Sequence, residues 1–227
     1  LHDVNLILNS NEILGIAGIS GNGQNVLADL ISGLVAPDRG SIVLKGVAIE
    51  NISPLNMIKS GFGRIPEDRH RQGIVGGLSV SENMIIERLD DPQIQNFGFL
   101  RSSVINKNAK TLSEKYDVRG PGIDQASRLL SGGNIQKLIL ARVFEKQPEI
   151  ILANQPTRGH DMRAASSVQK HLIVARDRGG GVILISEDLD EILGLADRIV
   201  VMRDGKLHDA YSKSREDIGL MMAGAST

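Results

Sequence analysis

The run Gly18-Ile19-Ser20-Gly21-Asn22-Gly23-Gln24-Asn25 has the residue types and spacing to hold a phosphate. Its glycines permit a tight turn that aims backbone N–H groups at anionic oxygens, and the helix that follows adds the positive end of its dipole. The frame is that of a phosphate-binding loop, G-x-x-x-x-G-K-[ST]. Gln24 stands where the Lys belongs, and Asn25 where the Mg²⁺-binding hydroxyl belongs. A Gln donates a hydrogen bond without charge. Charge-assisted bonds contribute about 1.5–3 kcal/mol and neutral ones about 1 kcal/mol, so the grip on phosphate is expected to be weakened, not abolished. Asn25 could offer an amide oxygen to a metal; no other metal ligand is assigned. Taken alone, the run reads equally well as a Gly-rich turn with no ligand. A dinucleotide loop fits worse, because Val26 occupies the third glycine position of G-x-G-x-x-G.

A second anion-binding frame is Leu130-Ser131-Gly132-Gly133-Asn134-Ile135-Gln136-Lys137. Ser131 can cap a helix, while Gly132 and Gly133 leave the first backbone N–H groups open to an anion. An ordinary Ser-capped helix is the alternative at this point. Between and beyond these runs lie polar residues at the ends of apolar stretches. Asn154 and Gln155 follow Ile150–Ala153, Glu187 follows Ile185-Ser186, and Glu67 follows Ile65-Pro66.

These residues need a scaffold, and the pattern supplies one. Short apolar runs at Ile13–Ala17, Phe62–Ile65, Glu149–Ala153, Val182–Ser186 and Ile199–Met202 read as strands, with a further strand at Ser41–Leu44 and another over residues 1–8. Helical spacing occupies Gln24–Ile31, the stretch opening at Ser53-Pro54, Asp161–Arg178 and Asp188–Ala196. From Ser79 to Ala141 the pattern is mostly helical, opened by a Ser79–Glu82 capping box and interrupted by an Asp90–Leu100 loop. This is an α/β alternation broken by a helical lobe.

The 227 residues suit one domain. Aromatics at 3% and a net charge of −1, with no long basic run, argue against a nucleic-acid partner. The absence of Cys removes disulfides, thiolate nucleophiles and Cys-based metal sites, and fits a cytoplasmic location. No stretch reaches the roughly 18 apolar residues of a membrane helix, and no signal peptide is visible, so any membrane role runs through partners. The sequence begins at Leu1 without Met, inside an expected strand, and reads as a fragment.

Taken in order, the motifs resemble the ATP-binding domain of ABC transporters. Leu130–Lys137 resembles the LSGGQ signature in its LSGGN-x-QK form. Glu149–Gly159 resembles the Walker B strand and its extension, with Asn154 and Gln155 replacing Asp and Glu. Asp161 matches the D-loop Asp, Glu187 replaces the switch His, and Glu67 replaces the Q-loop Gln. The resemblance implies an α/β fold: a P-loop (RecA-like) ABC ATPase core with an antiparallel β subdomain and a helical subdomain. Residues 1–78 would form the β-rich part, 79–145 the helical subdomain and 146–227 the rest of the core. The adenine-stacking aromatic loop would precede Leu1.

The resemblance also implies ATP and Mg²⁺ as cofactors and Gly18, Ser20, Gly21, Asn22, Gly23, Gln24, Asn25 and Glu67 as the ATP-binding set. In this family two domains pair head to tail, each ATP lying between one P-loop and the other signature. The positions that grip Mg²⁺ and phosphate, orient the attacking water and touch the γ-phosphate are all changed here, so no catalytic residue is assigned in this chain's own site. Ser131, Gly132, Gly133 and Asn134, with Asp161, would instead complete the partner's site. The degenerate pattern resembles the second ATPase half of bacterial simple-sugar and nucleoside importers, which implies a fused or separate second ABC domain, permease subunits and a peripheral place at the cytoplasmic face of the membrane. A non-hydrolysing scaffold that positions the permease is the alternative. A translation or repair factor is disfavoured because no large insertion or basic arm is present.

Overall fold

Why these strands form a buried sheet follows from their composition: β1 (Glu12–Ala17) and β8 (Gly181–Ser186) are almost wholly apolar and buried along their whole length, as expected for parallel strands covered on both faces. The computed structural model describes residues 1–159, 161–210 and 213–224. After β1 come α1 (Gln24–Ile31), β2 (Val43–Leu44), β3 (Val47–Ala48), α2 (Pro54–Lys59), β4 (Phe62–Ile65), α3 (Val80–Ile85), β5 (Gln95–Asn96), β6 (Phe99–Leu100), α4 (Ser102–Lys115) and α5 (Gly132–Glu145). Then follow β7 (Ile150–Asn154), α6 (Met162–Asp177), β8, α7 (Leu189–Leu195), β9 (Arg198–Arg203), β10 (Lys206–Asp209) and α8 (Arg215–Ala223).

The main sheet has the order β10-β9-β1-β8-β7-β4. All its pairings are parallel except β10 with β9. The register sets Leu14 and Leu152 on either side of Ile183, and all three belong to one core cluster with Leu27 and Ala28 of α1. Ile13, Ile151 and Val182 face the other way, into the cluster shared with α5, α6 and α7. Fully burying each such side chain contributes about 1.5–3 kcal/mol. The consequence for function is positional. Strands β1, β8, β7 and β4 are neighbours running the same way, so the loops after all four emerge along one carboxyl edge, where open α/β sheets bind ligands.

The helical lobe is built as expected, on a capping box. Ser79 Oγ accepts from Glu82 N–H at 3.1 Å and Ser79 N–H donates to Glu82 Oε2 at 2.7 Å. These bonds from Ser79 hold the Glu82 carboxyl below its ordinary value. Fully buried Asn83 ties the lobe to the strap before it, accepting from Val75 N–H at 2.8 Å and donating to Val75 O at 3.0 Å.

The expectations for residues 1–8 and for 90–100 differ. Residues 1–8 form no strand: Val4, Leu6 and Leu8 pack against the core while Ile7 points out, but no strand pairs with them among the described residues. Alternation records one-sided burial, not a hydrogen-bonded neighbour. The antiparallel part of residues 1–78 amounts to the two-residue strands β2 and β3. The 90–100 loop contains the β5–β6 hairpin, turned by Phe97 and Gly98 with φ of 49° and 83°. Two left-handed residues match the strand twist, but Phe-Gly lacks the Asn-Gly composition that signals such a turn.

Candidate functional site

The loop after β1 keeps the shape of a phosphate cradle but not its chemistry. Gly23 is the N-cap of α1 at φ 110°, a backbone that side chains rarely adopt. Gln24 does not reach outward. It is buried, and its Nε2 folds back to donate to Ile19 O at 2.8 Å. Its amide lies so close to Gly18 that a Cβ there would stand 2.5 Å from Nε2. The side chain that replaces the Lys therefore lies inside the loop and stitches it together.

Next to it runs a chain of polar contacts across three elements. Asn154, at the end of β7, donates through Nδ2 to Asn25 Oδ1 at 2.8 Å. Asn25 Nδ2 donates to Glu67 Oε2 at 2.8 Å. The other oxygen of Glu67 takes the guanidinium of Arg158. Glu67 is thus a structural acceptor and not a solvated loop charge. Asn154 Oδ1, on a residue 2% exposed, has no protein partner. Gln155 sits at φ 50°, a left-handed backbone unusual for a side-chain-bearing residue. Its Oε1 accepts from Glu187 N–H at 3.3 Å, so this amide bonds the switch backbone.

The cavity these residues enclose, ≈ 150 Å³, is lined by Ser20, Gly21, Gly23, Gln24, Asn25, Val26, Glu67, Asn154, Gln155 and Glu187. All are on the carboxyl edge. Gly18 and Asn22 belong to the same loop, Gly18 under Gln24 and Asn22 bonding Asp204 N–H through Oδ1 at 3.2 Å. The backbone cradle fits a phosphate. The donor set does not fit Mg²⁺, which takes an octahedron of oxygens, several of them waters, anchored by one or two free carboxylates and substrate phosphates. Asn25 Oδ1, the candidate metal ligand, is engaged by Asn154, and the Glu67 carboxylate beside it is engaged by Asn25 and Arg158. Among the described residues no group of His, Cys, Asp and Glu is arranged to hold a metal.

The signature residues lie outside this cavity. Ser131 is the N-cap of α5 by backbone geometry, yet its side chain makes no capping bond. Its Oγ instead accepts from Asn134 Nδ2 at 2.9 Å, and Asn134 Oδ1 accepts from Arg119 N–H at 2.8 Å. The first N–H groups of α5 consequently have no side-chain cap, and Ser131 and Gly133 are exposed. Buried Gln136, one turn on, donates to Pro156 O at 3.2 Å and ties the signature helix to the segment after β7. Asp161 caps α6 by accepting from Ala164 N–H at 2.9 Å.

Below the switch segment, Ser186 Oγ donates to Glu191 Oε2 at 2.7 Å, and Glu191 Oε1 has no hydrogen-bond partner. Burial pushes this carboxyl up, and the hydroxyls of Ser186 and Thr157 only partly offset it. Gln136 and Arg158 lie within the motif runs but had no role assigned from sequence, and Glu191 carried no sequence signal. Arg158 and Glu67 are 91 residues apart, and only the fold brings them together.

A parallel sheet whose carboxyl edge carries a Gly-rich strand–helix loop defines a phosphate-loop nucleotide-binding protein of the α/β class. Residues 1–158 match the family described as ABC transporter, and the chain belongs to that family. It is 41% identical over 226 residues to the nucleoside import ATP-binding protein NupA of Lactococcus lactis, covering 98% of this chain and 45% of that protein. It is 38% identical to the guanosine import ATP-binding protein NupO of Bacillus subtilis, covering 100% of this chain and 45% of that protein. The chain thus spans less than half the length of these relatives. Among solved structures, an ATP-binding subunit of an ABC transporter superposes with TM-score 0.76 at 18% identity, covering 98% of this chain and 92% of that one. A dimeric bacterial ABC transporter cassette gives 0.74 at 21% identity, covering 90% and 87%.

Proposed function

We propose that this chain is an ATP-binding part of an importer for a sugar or nucleoside, acting at the cytoplasmic face of the membrane with permease subunits and a second ABC domain. The names of its relatives support the substrate class. In this reading the two ABC domains pair head to tail. The uncapped α5 N-terminus, with Ser131, Gly132, Gly133 and Asn134, grips the γ-phosphate of an ATP held by the partner's P-loop, and Asp161 lies beside it. The observation that carries this reading is the separation of the two sites: Ser131 and Gly133 are exposed, and residues 131–134 contribute nothing to the lining of this chain's own pocket.

The pocket on Gln24 and Asn25 is the non-hydrolysing member of the pair. No Lys answers the phosphate charge, Gln155 carries no basic group and Glu187 adds a negative charge to the lining. The alternative, a scaffold that binds no nucleotide, is supported by the Gln24 amide lying inside the loop. Nucleotide titration with and without Mg²⁺ separates the two: Mg²⁺-independent binding fits an occupied but inert site, and no binding fits the scaffold.

The decisive test is ATP turnover of the full-length protein assembled with its transport partners. Ser131→Arg, which puts a bulky cation across the signature face, is expected to abolish turnover. Turnover equal to wild type in that variant would sink the proposal.

A further inference from the structure

The segment Glu67–Gly73 touches both the pocket and the signature helix. At its start, Glu67 bonds Asn25 and Arg158 in the pocket. Two residues on, the guanidinium of Arg69 lies over Gly132. A Cβ built on Gly132 would stand 2.8 Å from Nη2, 3.1 Å from Nε and 3.2 Å from Cζ. Three atoms of one planar group at nearly equal distance mean that the guanidinium occupies the space a side chain at Gly132 would fill. A side chain at Gly132 would therefore have to displace this guanidinium, the mobile end of the Arg69 side chain.

The segment has little room to move. Asp68 Oδ1 accepts from His70 N–H and Arg71 N–H, both at 3.0 Å. Gln72 N–H closes the turn on Asp68 O at 2.9 Å. Gly73 is pressed against Ile139 of α5 with no space for a Cβ, and buried Arg142, also on α5, donates to Gly73 O at 2.8 Å. The far end of the segment is thus clamped to the body of the helix whose N-terminus Arg69 touches.

We infer that Arg69 is a positioning residue for the signature loop. Its guanidinium holds the Gly132 backbone, and with it the direction of the uncapped N–H groups of α5, in register with Glu67 in the pocket. Nothing in the motif frame assigns this role to position 69. The inference rests on the reading that the signature completes the partner's ATP site, and it adds a link: a change at Glu67 reaches the partner's ATP through one short, rigid turn.

The test is steady-state ATP turnover of the full-length protein with its transport partners, in Ser131→Arg, Arg69→Ala, Arg69→Lys, Gly132→Ala and the double variant Arg69→Ala/Gly132→Ala. Arg69→Ala is expected to lower kcat about tenfold with little change in the KM for ATP, because the lost interaction orients transition-state contacts. Arg69→Lys is expected to fall as well, since an ammonium has no planar fork to lie over Gly132; it also guards against a folding defect in the Ala variant. Gly132→Ala alone is expected to slow turnover by displacing the guanidinium. In the Arg69→Ala background it is expected to add little, a non-additivity that a general loss of stability does not produce. Wild-type turnover in Arg69→Lys, or additive effects in the double variant, would overturn the inference. Loss of turnover in Ser131→Arg with no change in Arg69→Ala would overturn it while leaving the functional reading intact. No effect of Ser131→Arg would instead remove the reading beneath it.

Discussion

Each amide that departs from the family pattern has found a structural partner. Gln24 bonds Ile19 O, Asn154 bonds Asn25, Asn25 bonds Glu67, and Gln155 bonds the Glu187 backbone. A site with its charged groups removed must satisfy the polar atoms that remain, because an unpaired buried group costs about 1–3 kcal/mol. Asn154 Oδ1 and Glu191 Oε1 are the unpaired exceptions near the switch. Burial raises the Glu191 carboxyl above its ordinary value of 4.5. Above that pH the unfolded chain gives up its proton while the folded chain keeps it. This group's contribution to stability is therefore full below pH 4.5 and is lost as pH rises towards the folded value. Glu191→Gln is expected to remove the loss, so that the variant gains on wild type with rising pH, at up to about 1.4 kcal/mol per unit. Urea unfolding of both proteins from pH 4 to pH 8 checks this; a constant difference across the range would contradict it.

At the scale of elements, the helical lobe depends on side chains that bond loop backbone. Asn83 is fully buried, bonds both polar groups of Val75 and also donates to Ser79 O at 3.1 Å. Asn83→Ala would leave these groups without a partner in the interior and is expected to cost about 1–3 kcal/mol, measured as a lower urea midpoint. The capping box at Ser79 was readable from spacing, since both partners lie within one turn. The β5–β6 hairpin was not, because its turn is made by Phe97-Gly98. Two expected helices began one residue early, at Asp161 and Asp188, for a physical reason: both residues are N-caps, accepting bonds from helix N–H groups while lying outside the helix.

For the whole molecule, the sheet decides which loops meet. Leu184 of β8 is fully buried in the cluster shared with α5, α6 and α7. Leu184→Ala is expected to destabilise the protein by about 2–5 kcal/mol. Val174→Ala, on α6 at a residue 62% exposed, is expected to stay within about 0.5 kcal/mol; comparable losses in both would contradict the assigned core. Among the described residues no helix is long and apolar enough to cross a membrane.

The sequence by itself determined the main α/β alternation, the phosphate-loop frame, the signature run and the family. Those are local properties: periodicity, glycine position and residue type within a few positions of one another. Only the tertiary structure decided that Gln24 turns into its own loop, that Asn25, Glu67, Asn154 and Arg158 join in one chain, and that Arg69 lies on Gly132. The physical reason is that the polar links across the carboxyl edge join residues from 42 to 129 positions apart. Such contacts depend on the parallel order β1-β8-β7-β4 and on side-chain length at the meeting point, and no pattern within a single segment encodes either.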